Sequence, residues 1–210
     1  MKHLIIIGAR GYGREIFHFA KESIGYGTDF VIKGFLDDKS DALNGYEGYP
    51  PILDSVEDYR IEDDDVFTCA LGDVRYKSKY VNLILSKGGE FINIIHNSSR
   101  IYPNTKIGRG CIICPNVHIS CDIMIGDYVT IQPYSVIGHD AVIGNMCHLN
   151  CYSFMGGFSS IGDSVTMNTG AILHPKKHVA NNVVIGGGAF VIRNIKKEGV
   201  TVVGNPAVEL

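Results

Sequence analysis

From Ile101 to Val191 every sixth residue is Ile, Leu, Val or Met, sixteen positions with no insertion or deletion. The position four further on is also selective. From Thr105 through Cys111, Val117, Ile123 and Val129 to Ile195 it holds small or β-branched residues, with Lys177 as the clear exception. Glycine often follows the aliphatic residue, at 108, 126, 138, 144, 156, 162 and 186. A period of six fits neither an amphipathic helix nor an alternating strand. It predicts a solenoid in which each hexad is a short strand plus a turn and three hexads close a triangular coil. The aliphatic residue points into the prism, and the small residue leaves room for the corner. Glycine is expected to relieve the tight turn. Residues eighteen apart then stack at roughly 4.8 Å, the spacing of paired strands. Sixteen hexads give about five coils, enough for a continuous core.

The N-terminal pattern is different. Leu4-Ile5-Ile6-Ile7 ends a buried strand, residues 2–7. The turn Gly8-Ala9-Arg10-Gly11-Tyr12-Gly13 follows, then a helical pattern carried by Ile16, Phe17, Phe19 and Ala20. Residues 31–36 and 66–71 read as strands ending in Asp37-Asp38 and Gly72-Asp73. Residues 77–86 read as a helix and 91–95 as a strand. Strand, glycine turn, helix, strand and acid is the order of a nucleotide-binding βαβ unit, with a diphosphate suited to the helix N-terminus. The glycine spacing is G-x-x-G-x-G, not the G-x-G-x-x-G of a dinucleotide site. Fewer than 100 residues precede the prism, which favours a mononucleotide attached to a sugar over a dinucleotide. The expected organisation is therefore a small α/β Rossmann-like domain over residues 1–96 and a β-helix domain with a C-terminal extension over 97–210.

Composition narrows the function. A net charge of −3 gives no electrostatic case for nucleic acid or an anionic membrane. The first apolar run is too short for a signal peptide or a membrane span, so a soluble, cytoplasmic protein is expected. In that compartment the six cysteines are expected to be free thiols. Cys111-x-x-Cys114 is half of a zinc site without its second half, and the repeat explains both residues better. No metal is expected.

The repeat resembles the hexapeptide-repeat acyltransferase superfamily. Across nearly the whole chain the sequence is similar to a narrower group, the sialic-acid O-acetyltransferases and nucleotide-aminosugar N-acetyltransferases. The segments that carry this are Gly8-Ala9-Arg10-Gly11-Tyr12-Gly13, Gly34-Phe35-Leu36-Asp37-Asp38, Ala70-Leu71-Gly72-Asp73, Asn93-Ile94-Ile95-His96, Ser135-Val136-Ile137-Gly138-His139-Asp140 and Gly204-Asn205-Pro206-Ala207. The resemblance implies a left-handed parallel β-helix, assembly as a homotrimer and acetyl-CoA as the donor, lying in the groove between two prisms. It implies a nucleotide sugar held by Gly8, Gly11, Gly13, Asp37, Asp38, Gly72 and Asp73, and an acyl-CoA site that includes His148, Gly157, Gly187 and Gly188.

Acyl transfer to an amine needs a base, a donor for the oxyanion and a positioned thioester. Histidine titrates near working pH, and His139 and His148 are the candidates. Asp140 follows His139 and is suited to fix its tautomer. The resemblance assigns His139 as the base and Asp140 as its partner. It assigns His148 as a donor contact and the Gly157 N–H to the acetyl oxygen. Gly157 follows His139 by eighteen residues, so the prism geometry stacks the two. N-acetylation of a nucleotide-linked amino sugar is the leading expectation, with O-acetylation of a sugar or sialic acid as the alternative. A zinc hydratase on the same prism and a non-catalytic scaffold rank lower.

Overall fold

Four consecutive side chains, Leu4 to Ile7, are almost fully buried because their strand lies at the middle of a parallel sheet. In the computed structural model, which describes all 210 residues, the chain forms two compact units, residues 1–97 and 98–210. The first unit is built from β1 (Lys2–Ile7), α1 (Gly11–Lys21), β2 (Phe30–Leu36), β3 (Ile52–Asp54), β4 (Asp65–Cys69), α2 (Val74–Ser86) and β5 (Glu90–Phe91). The sheet order is β3-β2-β1-β4-β5, with every pair parallel. Helix α1 buries Gly13, Ile16, Phe17 and Ala20, and α2 buries Lys77, Tyr80, Val81 and Ile84. Both sets follow the i, i+3, i+4, i+7 spacing of one helix face.

Three details differ from the sequence pattern. Helix α2 starts at Val74, earlier than the apolar residues indicate, because Asp73 caps it by accepting from the Arg75 N–H at 2.8 Å. The expected strand over 91–95 is split into β5 and a separate pair, Ile94–Ile95, that lies outside this sheet. The three-residue edge strand β3 carries too little apolar pattern to announce itself.

The second unit is a prism with three parallel faces. Its two-residue strands pair in steps of eighteen, as in Val136↔Phe154 with Ile137↔Met155 and His118↔Val136 with Ile119↔Ile137. Of the sixteen aliphatic positions, Ile113, Ile119, Ile131, Ile137, Leu149, Met155, Met167, Leu173 and Ile185 are 0 % exposed, whereas Ile101, in the first coil, is 36 % exposed. The small residues four further on, from Cys111 to Ala171, are buried with them. No helix is long and apolar enough to cross a membrane.

The turn chemistry corrects the role expected of the glycines. The left-handed backbone falls on the third residue after the aliphatic one, in fifteen successive hexads. It is occupied by Asn104, Asn116, Asp122, Tyr128, Tyr134, Asp140, Met146, Tyr152, Phe158, Ser164, Lys176 and Asn182, and by Gly110, Gly170 and Gly188. Each non-glycine residue there costs roughly 1–2 kcal/mol. Hydrogen bonds between coils offset this: the Phe158 N–H donates to the His139 carbonyl at 2.9 Å and the Met146 N–H to the Asp127 carbonyl at 2.8 Å. The glycines that directly follow the aliphatic residue have no positive φ. They permit close approach instead. A Cβ on Gly126 would stand 2.8 Å from the Gly144 carbonyl carbon, and one on Gly138 would stand 2.7 Å from the Gly157 nitrogen.

One corner also carries a side-chain ladder. The N–H groups of Arg109, Asp127, Asn145 and Asp163 donate in turn to the side chains of Asp127, Asn145, Asp163 and Asn181, one coil on, at 2.6–3.0 Å. Turn N–H groups that no strand partner satisfies are thereby paired.

Candidate functional sites

In the first unit a cavity of about 460 Å³ opens at the carboxyl ends of β1, β2 and β4. The chain runs from β1 outward to β2 on one side and to β4 on the other, so this is the point where the strand order reverses. Ligands of open parallel sheets bind at such a crevice. The lining includes Gly8, Gly13, Asp37, Asp38, Gly72 and Asp73, six of the seven residues expected there. Gly11 is not among them. It is the first residue of α1, with open space where its Cβ would be. Gly13 has a packing role, since a Cβ there would run into the Gly8 carbonyl. Gly8 takes φ +97° at the end of β1.

The three acids differ in how they are engaged. Asp37 is turned inward: its Oδ2 accepts from the Ala9 N–H and its Oδ1 from the Lys39 N–H, both at 2.9 Å. It fixes the glycine turn. Asp73 caps α2 and holds the Arg75 guanidinium at 2.9 Å, which keeps its carboxyl below the usual range. Asp38 accepts from the Tyr80 hydroxyl at 2.5 Å. Burial, and then that carboxylate, push the Tyr80 phenol up to about 12. Arg10, Tyr12, Tyr76 and Tyr80 also line the cavity and were missed in the sequence reading. A helix-period reading of α2 from its cap at Asp73 would have put Tyr76 and Tyr80 on one face.

In the prism, His139 and Asp140 occupy one corner. His139 Nδ1 lies 2.8 Å from Asp140 Oδ2. Asp140 adopts the left-handed conformation, φ +56°, and this turns its short side chain back onto the preceding ring. Gly157 stacks in the next coil. The three atoms nearest to a Cβ built there all belong to the His139 ring, with Nε2 at 2.7 Å. The Phe158 ring meets His139 edge to face, centroids 5.1 Å apart. One coil earlier, Cys121 and Asp122 occupy the matching positions. Their hydrogen bond, the leading cause in each case, raises the thiol and lowers the carboxyl, and the nearby His139 lowers Asp122 a little further. Counting eighteen back from His139 and Asp140 would have found both.

His148 is buried, 1 % exposed. Its Nε2 lies 3.1 Å from the Gln132 amide nitrogen, and the Gln132 amide oxygen accepts from the Cys151 thiol at 3.2 Å. Gly187 and Gly188 are exposed, and Gly188 holds the left-handed corner at φ +65°. Three other histidines have hydrogen-bond partners of their own. His178 bonds to Ser160 at 2.8 Å, His174 to the Pro175 carbonyl at 3.0 Å and His96 to Glu22 at 3.0 Å.

Residues 104–139 match the family described as bacterial transferase hexapeptide (six repeats), and residues 3–84 match the PglD N-terminal domain. A GDP-perosamine N-acetyltransferase of Escherichia coli O157:H7 is 31% identical over 136 residues, 63% of this chain and 60% of that protein. The alignment thus spans about three-fifths of the relative's length. The acetyltransferase domain of PglB from Neisseria gonorrhoeae FA1090 superimposes over 100% of both chains with a TM-score of 0.88 and 25% identity. WeeI from Acinetobacter baumannii AYE does so over 100% of both with a TM-score of 0.86 and 27% identity. PerB from Caulobacter crescentus, in complex with CoA and GDP-perosamine, shares the fold at a TM-score of 0.88 and 24% identity, over 100% of this chain and 98% of that one.

Proposed function

We propose, for a chain whose residues 104–139 match the hexapeptide transferase family and whose residues 3–84 match the PglD N-terminal domain, transfer of an acetyl group from acetyl-CoA to the amino group of a nucleotide-linked sugar. The observation that carries this reading is the His139 corner. Asp140 accepts from Nδ1 and leaves the Nε2 lone pair as the proton acceptor. The amine loses its proton to Nε2 as it attacks the thioester carbonyl. The imidazolium that forms is stabilised by Asp140; collapse of the tetrahedral intermediate then breaks the C–S bond, and the departing CoA thiolate takes up the proton from the imidazolium, leaving the amide and free CoA. The Gly157 N–H, bare of side chain and stacked on the same ring, is the donor suited to the developing oxyanion.

The acetyl donor is assigned to Gly157, Gly187 and Gly188, where the absence of side chains lets a pantetheine arm lie against backbone. His148 is buried, so its part is to hold Gln132 in place beside that arm. The nucleotide is assigned to the cavity at the β1, β2 and β4 ends. A homotrimer fits the prism faces. One presents Phe154 and Ile172 outward, 38 % and 37 % exposed, and another presents Met124 and Val142, 57 % and 44 % exposed. We place the reaction in the cytoplasm.

The test is thiol release from acetyl-CoA against a panel of nucleotide-linked amino sugars, with sialic acid alongside. Release with an amino sugar supports the reading, and release with sialic acid alone replaces it with O-acetylation. His139→Ala is expected to lose turnover by about 10²–10⁴-fold while still binding acetyl-CoA. Wild-type turnover by that variant removes His139 as the base.

A further inference from the structure

We propose that Phe158 is a positioning residue for the base: its ring fixes the plane of the His139 imidazole and so holds Nε2 toward the acceptor. This rests on the reading of His139 as the base of an acyl transfer. Within its own coil His139 is weakly tethered. Its side chain is 54 % exposed and makes one hydrogen bond, between Nδ1 and Asp140 Oδ2 at 2.8 Å, to a partner whose own side chain is 42 % exposed. That bond fixes one ring atom. The ring can still pivot about it, and Nε2, across the ring from Nδ1, then moves furthest.

Phe158, in the next coil, supplies the second constraint. Its N–H donates to the His139 carbonyl at 2.9 Å, which ties the two residues together. Its ring stands at 89° to the imidazole with centroids 5.1 Å apart, an edge-to-face arrangement that aromatic pairs prefer. A perpendicular ring resists the pivot that a single hydrogen bond permits. The residue before it is Gly157, whose N–H is the donor assigned to the oxyanion, so one turn carries both that donor and the ring.

Packing within the prism gives no reason for a phenyl group at this corner. Phe158 takes φ +57°, a conformation in which glycine and asparagine are at ease and a bulky side chain is not. The ring is 50 % exposed, so it adds little to the core. At eighteen-residue steps along the same corner stand Asn104, Asp122, Asp140, Phe158 and Lys176, and the one aromatic falls on the rung directly after the base. At another corner the exposed Tyr134 and Tyr152 rings stack on each other, centroids 5.2 Å apart and 7° between planes. The ring that Phe158 meets is His139.

The experiment compares Phe158→Gly and Phe158→Tyr with the parent chain. Glycine suits the left-handed corner and removes the ring, whereas tyrosine keeps it. Phe158→Gly is expected to hold its melting temperature within about 2 °C. It is expected to keep KM for acetyl-CoA within about twofold and to lose about 10²-fold in kcat, the cost of a base displaced by roughly 1 Å. Phe158→Tyr is expected to recover most of kcat. A second measurement needs no acceptor: NMR relaxation at the Cε1 of labelled histidine, with the His139 signal assigned by its loss in His139→Ala. Its order parameter is expected to fall from the rigid range to below about 0.6 in Phe158→Gly and to recover in Phe158→Tyr. Parent-like turnover or an unchanged order parameter in the glycine variant overturns the inference. A loss of kcat that comes with a melting temperature several degrees lower, or with loss of acetyl-CoA binding, overturns it too, because the ring would then be holding the fold or the donor. The expected fall in order parameter, with no thiol release from any acceptor by the parent chain, supports the hold on His139 and overturns the acetyl-transfer reading instead.

Discussion

Two glycine-to-alanine changes one coil apart should separate folding from chemistry. At Gly157 the φ angle lies outside the left-handed region, so alanine meets no backbone penalty. Its methyl would stand 2.7 Å from His139 Nε2 and 2.8 Å from Cε1, against an ordinary contact of at least 3.4 Å. The obstacle is the far end of an exposed side chain, which can swing away. In doing so it breaks the 2.8 Å bond to Asp140 and moves Nε2 by roughly 1 Å, a displacement that costs on the order of 10²-fold in rate. At Gly138 the methyl would stand 2.7 Å from the Gly157 nitrogen, 2.9 Å from the Met155 carbonyl oxygen and 3.0 Å from the Gly156 carbonyl carbon, all backbone. The coils must part by several tenths of an ångström, yet the Gly138 N–H bond to Met155 spans that same gap at 2.8 Å. Overpacking of this kind costs about 1–3 kcal/mol, or roughly 2–12 °C in a chain this size. Gly157→Ala is therefore expected to keep its melting temperature within about 2 °C and lose about 100-fold in kcat/KM. Gly138→Ala is expected to lose melting temperature. Thiol-release kinetics and a thermal melt on each variant test this. Wild-type turnover by Gly157→Ala, or a loss of stability matching that of Gly138→Ala, refutes the stacking argument.

Three further outcomes are expected. Asp140→Asn keeps the left-handed corner, which asparagine tolerates, and loses the charge that supports the imidazolium; kcat should fall by at least about tenfold with the melt unchanged. In the first unit the Asp65 side chain is fully buried and accepts from Lys33, Tyr59 and the Glu62 N–H at 2.7–2.9 Å. Burial opposes its charge but these bonds prevail and hold its carboxyl below the ordinary value, so it stabilises the fold above the usual carboxylate range and that contribution disappears as pH falls through the folded value. Asp65→Asn should cost about 2–4 kcal/mol at pH 7 in denaturant titration and flatten the acid limb of the stability profile. Asn145→Ala removes the side-chain acceptor of the Asp127 N–H and should cost about 1–3 kcal/mol by the same measurement, with catalysis unaffected.

The sequence by itself determined the prism. A core residue that recurs every six positions needs no distant partner to be recognised, because each strand pairs with the one eighteen residues away and burial repeats with the same period. That regularity also located Gly157 against His139. In the N-terminal unit the buried strands and the acids at their ends were legible for the same reason, as apolar runs closed by turn residues. Tertiary structure decided what the period cannot express. Corner residues as different as Tyr128, Met146 and Phe158 take left-handed backbone because hydrogen bonds between coils hold them there. The glycines beside the aliphatic positions are required by a neighbouring coil, a contact no single hexad records. Asp37 and Asp38 are adjacent and chemically identical, yet one is tied to the glycine turn and the other to Tyr80 in the cavity wall. Only the packing of α2 against the sheet, through contacts more than forty residues apart in the chain, separates their roles.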